Sequence, residues 1–82
     1  MKAITYTRAA ARALRKHRSM APRITAKIEQ YAADPASLAN LVTKLAGRDS
    51  MRLRVGDFRV LFRDTPMEIV VLDIGPRGNI YD

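Results

Sequence analysis

Residues 51–62 read MRLRVGDFRVLF, with Arg52, Arg54 and Arg59 set on either side of a Gly-Asp pair. Arginine carries a permanent charge and a planar fork of donors that matches the oxygens of a phosphate. Gly56-Asp57 suits a two-residue hairpin turn, with Gly at the position that tolerates positive φ. That turn sets a register in which Val55 faces Phe58, Arg54 faces Arg59, Leu53 faces Val60 and Arg52 faces Leu61. Side chains alternate between the faces of a sheet. Met51, Leu53, Val55, Phe58, Val60 and Phe62 therefore share a buried face, and Arg52, Arg54, Arg59 and Arg63 share the other. Like charges directly opposite one another destabilise a sheet by up to ~1 kcal/mol per pair. Edge-protecting charges explain scattered cations, but they explain poorly a cluster of one sign with no carboxylate interleaved. The pattern favours an anion-binding surface.

Two helices must support that hairpin. Lys2–Tyr6 reads as a short strand, after which Thr7 can N-cap a helix over residues 8–18. Ala10, Ala13, Leu14 and His17 form its apolar stripe, with Arg8, Arg12 and Arg15 turned toward solvent. Pro22 suits the first turn of a second helix, in which Ile24, Ile28 and Tyr31 follow a core-facing i, i+4, i+7 pattern. Asp34-Pro35 stops it. Residues 36–50 read as a connection anchored by Leu38, Leu41, Val42 and Leu45 and reaching Gly47. From residue 51 the period is two, and EIVVLDI, residues 68–74, is a continuous apolar run of the kind found in a central strand. Gly75-Pro76 breaks that strand, and Asn79–Tyr81 closes the chain. The reading is α+β: an αα-hairpin packed on a small, mainly antiparallel twisted sheet, in the order β-α-α-β-β-β.

With 82 residues the chain makes one domain, 1–82, with one modest core. Fifteen Lys+Arg against eight Asp+Glu give a net charge of +7, and eleven of the cations are Arg. A polyanionic partner follows: RNA, DNA or an acidic protein segment. No apolar run approaches the ~20 residues that span a membrane, so the expected address is the cytoplasm, with no membrane partner. The chain has no Cys and one His, and Asp57, Asp64 and Asp73 are dispersed, so neither a metal nor another cofactor is expected.

LAGRDSMRLRVGDFRVLF, residues 45–62, resembles the central signature of RelE-type toxins of the RelE/ParE toxin–antitoxin superfamily. VVLDIGPRGNIY, residues 70–81, resembles the same family's closing strand and tail. The resemblance covers essentially the whole chain and implies a fold like that of microbial ribonucleases. Better-known RelE-type members cut mRNA in the ribosomal decoding site, whereas relatives in the ParE group poison DNA gyrase. Both are held inactive by a cognate antitoxin, which implies a toxin–antitoxin hetero-oligomer here. Carried over by position, Arg52 and Arg54 match two basic residues before the turn, and Arg59 matches a phosphate-contacting Arg after it. Arg77 matches a second Arg near the chain's end, and Tyr81 matches an active-site residue. Pro76 departs from the pattern, standing where many members have a basic residue or His, and no C-terminal helix is expected after Asp82.

The resemblance implies an mRNA endonuclease that blocks translation, ribosome-dependent like its relatives. RNA supplies its own nucleophile in the 2′-OH; the enzyme positions the attack, stabilises charge on the phosphoryl oxygens and manages protons. Arg52, Arg54, Arg59 and Arg77 would neutralise phosphate. Arginine, with a pKa above ~12, is a poor proton carrier, which leaves Tyr81 to move a proton or to stack on a base. Arg63, together with Arg8, Arg12 and Arg15 on the first helix, would add RNA contacts. His17 reads as a packing or capping residue at the helix end. A gyrase poison on the same fold, or a non-catalytic basic binding module, are the competing functions.

Overall fold

A computed structural model describes residues 1–45 and 49–78 of the chain. Strand β1, Ala3–Tyr6, leads into helix α1, Arg8–Lys16. Thr7 makes the junction. Its side chain caps the helix by accepting from Ala10 N at 3.2 Å, while its hydroxyl donates to Leu72 O at 2.7 Å. One residue thus ends the strand, starts the helix and ties both to the sheet. Helix α1 stops at Lys16 rather than residue 18, because His17 leaves helical geometry at φ −112° and ψ 57°. A turn through residues 17–20 then leads into α2, Ala21–Ala33, with Pro22 in its first turn and Asp34 ending it ahead of Pro35.

The connection after α2 is more ordered than the sequence reading supposed. Pro35–Leu41 forms a 3₁₀ segment kinked at Leu38, and Val42–Lys44 forms a further strand, β2. Strands β3 (Ser50–Val55), β4 (Phe58–Asp64) and β5 (Glu68–Pro76) follow. The expected order β-α-α-β-β-β therefore lacked one strand: the sheet has five, arranged β1-β5-β4-β3-β2. A three-residue strand is too short to show a period of two, so its pairing with β3 is decided by tertiary context. Gly47 lies outside the described residues. Strand β1 runs parallel to β5, and the other pairings are antiparallel. As its apolar run suggested, β5 is an interior strand, between β1 and β4.

The helices cover one face. Ala10, Ile24, Ile28, Tyr31 and Ala32 meet Leu53, Val55, Val60, Phe62, Ile69, Val71 and Ile74 in a single core. Tyr31 sets its ring edge-on to Phe62, with centroids 4.9 Å apart. All four pairings predicted for the hairpin are present, including Arg54 opposite Arg59. The ladder also slips between Leu61 and Phe62, which pair with Asp73 and Val71 and leave Leu72 as the extra residue on β5.

Candidate functional site

The β3–β4 hairpin carries its arginines on the face that the helices leave uncovered. Gly56 has φ +59°, and no other described residue of the turn has positive φ. Positive φ at the first central position alone is a property of the type II′ turn, whose twist matches that of the strands it joins. The turn is held further by β5: Phe58 pairs with Pro76, and Arg77 donates its backbone N–H to Asp57 O at 2.7 Å. Arg77, at the chain's far end, is thereby fixed beside Arg54 and Arg59. Pro76 is compatible with this because it sits in the last position of its strand.

Arg54, Arg59 and Arg77 line a cleft of about 470 Å³ together with Asp57, Leu41, Arg23 and Lys27. A smaller hollow of about 150 Å³ adjoins it across Arg54 and Arg59 and takes in Arg52, Thr43 and Asn40. Four of the arginines expected at the site are therefore neighbours. Tyr81, the fifth expected site residue, lies outside the described residues. Arg23 and Lys27 were missed in the sequence because a helix's face relative to a distant hairpin has no local signature. Arg23 reaches the turn itself: a Cβ built at Gly56 would stand 3.4 Å from Nη1 of Arg23. Lys27, one helical turn on, is half-buried.

The remaining expected contacts lie elsewhere. Arg63 shares the open face but is four residues along β4 from Arg59, about 13 Å away. It borders a separate hollow with Lys44, Asp49 and Thr65. Arg8, Arg12 and Arg15 are exposed on α1 and line none of the hollows that hold the other arginines. The structure does not bring these four to the cleft. The open face is also less uniformly basic than expected. Asp73 stands next to Leu61, which in turn pairs with Arg52, so a carboxylate enters the arginine rows from β5.

Charge balance differs along the cleft. Among the described residues, Arg23, Lys27, Arg54 and Arg77 form no ion pair, whereas Lys2 pairs with Asp64 away from the cleft. Asp57 is the single carboxylate among the described lining residues. The two described tyrosines do not serve this cleft. Burial pushes the Tyr6 phenol upward, with a smaller contribution from Glu29. Burial and the hydrogen bond to Asp64 push that of Tyr31 up to about 12. His17 packs edge-on against Phe58 at 4.9 Å and donates its backbone N–H to Ala13 O, the packing and capping role read for it. No group of three or more metal-binding side chains occurs among the described residues, and no described helix is long and apolar enough to cross a membrane.

Residues 4–81 match the model of a family described as the ParE toxin of the type II toxin–antitoxin system parDE. The chain belongs to this family. It is a toxin of the RelE/ParE superfamily, and the resemblance seen in its signature and tail is borne out. The toxin is similar in fold to the archaeal RelE–RelB complex from Pyrococcus horikoshii OT3, at a TM-score of 0.77 and 23% identity, over 96% of this chain and 98% of that one. It is also similar to the toxin–antitoxin complex RelBE2 from Mycobacterium tuberculosis, at a TM-score of 0.63 and 23% identity, over 93% and 98% of the two chains. Among curated proteins, none matches the toxin.

Proposed function

We propose that this toxin is a metal-independent endoribonuclease that cleaves mRNA on the ribosome. The observation that carries the proposal is the convergence of Arg54, Arg59 and Arg77, from three strands' ends, on one cleft whose described cations are in excess of its one described carboxylate. A catalyst of phosphoryl transfer needs fixed positive charge where negative charge develops. Backbone hydrogen bonds at the turn and at Arg77 supply that fixity. In the reaction, the 2′-oxygen attacks the adjacent phosphorus as its proton leaves, and the 5′-oxygen departs taking up a proton. The products are a 2′,3′-cyclic phosphate and a 5′-hydroxyl. Arg52, Arg54, Arg59 and Arg77 bind the phosphoryl oxygens, and Tyr81 either transfers a proton or stacks a base. Arg63, Arg8, Arg12 and Arg15 make outlying contacts with RNA phosphates. A cognate antitoxin silences the toxin by covering this basic surface in a hetero-oligomer.

The family's description favours a second reading, in which the same fold poisons DNA gyrase. That activity has no need of a phosphate cleft with catalytic geometry. Single-turnover incubation of wild-type, Tyr81→Phe and Tyr81→Ala proteins with programmed ribosomes separates the readings. Cleavage with cyclic-phosphate ends is expected. A proton-transferring Tyr81 makes the Phe variant nearly as slow as the Ala variant, about 10²–10⁴-fold below wild type. A stacking Tyr81 spares the Phe variant. Intact mRNA alongside gyrase–DNA adducts in expressing cells contradicts the nuclease.

A further inference from the structure

The cleft has two walls, and only one belongs to the sheet. Arg54, Arg59 and Arg77 line it from the hairpin and the end of β5; Arg23 and Lys27 line it from α2. Leu41, half-buried, supplies apolar surface to the same cleft. The Arg23 guanidinium lies over the turn, within ordinary contact distance of the position a Cβ would take at Gly56. Neither α2 cation has a carboxylate partner among the described residues. The hydrogen bond that Lys27 donates to Gln30 is long at 3.5 Å. Two groups of like charge facing one space repel each other unless an anion lies between them. A volume of about 470 Å³ is that of a site for one small-molecule-sized unit. It suits a strand threaded singly, with sugar or base against apolar surface and phosphates on cations.

We propose that Arg23 and Lys27 form a second phosphate subsite, binding the phosphate that flanks the scissile one in single-stranded RNA. The proposal rests on the nuclease reading and adds the substrate's form and the groups that hold its neighbouring nucleotide. The sheet wall binds the phosphate to be cleaved, and the α2 wall fixes the direction in which the strand crosses it. Arg23 and Lys27 are positioning residues.

The test is fluorescence anisotropy of the full-length toxin with a labelled RNA trinucleotide, made uncleavable by a 2′-deoxy substitution at the scissile position, across a series of salt concentrations. Each phosphate contact on a single strand contributes about 0.7 to the slope of log affinity against log salt. Arg23→Gln and Lys27→Gln should each lower the slope, by about that amount in combination for the one phosphate they share, while Arg23→Lys, which keeps the charge, should retain it. Binding of a nucleoside 3′-monophosphate, which has no flanking phosphate, should change less than about twofold in all three variants. Unchanged trinucleotide slopes in both Gln variants, with wild-type binding still salt-dependent, would overturn the second subsite and leave the nuclease reading standing. Equal losses for trinucleotide and monophosphate would also overturn it. Wild-type binding without a salt slope would remove both.

Discussion

The two ends of strand β4 handle charge in opposite ways. At its C-terminal end, Asp64 has two partners: it accepts from the Tyr31 hydroxyl at 3.0 Å and pairs with Lys2. Those contacts join the end of β4 to α2 and to the segment before β1. At its N-terminal end, Arg59 stands directly opposite Arg54, with Arg77 and Arg23 close by and one carboxylate, Asp57, on the same cleft. A pair of unlike charges fastens elements together, whereas a one-sign cluster weakens the fold unless a ligand completes it. The first end thus fastens elements of the structure together, and on the proposed function the second is the end that meets an anion.

The largest effect on stability should come from the fastening end. Asp64→Ala leaves the Tyr31 hydroxyl and Lys2 without their acceptor, at about 2–3 kcal/mol for hydrogen bonds to a charged group. Thermal unfolding should fall by roughly 10–20 °C for a domain of this size. The protein that remains folded should cleave at the wild-type rate. A slow but stable Asp64→Ala toxin would break the division between the two ends.

Tyr31→Phe is the milder cut at the same place. It keeps the ring against Phe62 and removes one bond, so about 1–1.5 kcal/mol is expected. The Tyr31 phenol also gives the wild type a signature in alkali. Its pKa is raised from 10.0 to about 12 in the folded protein, so the neutral form is the one that folding favours. That contribution is fully present below pH 10 and is lost as the pH rises from 10 to about 12. Denaturant titrations across this range should show the wild-type advantage over Tyr31→Phe shrinking. A constant gap would mean that the phenol is not held as described.

How legible these two ends were depends on how local their causes are. The hairpin, its register and its arginine face were readable because alternation and a Gly-Asp turn act over a dozen adjacent residues. The Asp34-Pro35 stop and the Thr7 cap were readable for the same reason. Strand β2 was not, since three residues after a 3₁₀ segment show no period. Nor was the partner of β1, which pairs in parallel with a strand more than sixty residues away: Ala3 stands beside Glu68. Within the site, Arg77 was found through the resemblance, and the backbone bond to Asp57 supplies its physical reason. Arg23 and Lys27 were invisible because they sit in a helix read for its apolar stripe, and only packing shows which way its cations point.

A smaller effect should appear where the helix wall meets the turn. Gly56→Ala places a side chain at φ +59°, for a cost of about 1–2 kcal/mol in the left-handed region. The Cβ meets the guanidinium at ordinary contact distance, 3.4 Å from Nη1, so Arg23 keeps its place and cleavage should fall only as far as the folded fraction does. A rate that falls well below the folded fraction would show that the turn's backbone shape, and not only its stability, sets the geometry of the cleft.

The most direct test of the division between a fastening end and a proposed anion-binding end is to measure stability and mRNA cleavage on the same Arg54→Ala protein. Removing one member of the opposed pair relieves repulsion of up to ~1 kcal/mol. The melting temperature should stay level or rise by a few degrees. Loss of a group that stabilises transition-state charge should lower single-turnover cleavage of ribosome-bound mRNA by about 10²–10³-fold. A melting temperature that collapses while the remaining folded protein cleaves at the wild-type rate would contradict the account, making the arginine face part of the scaffold.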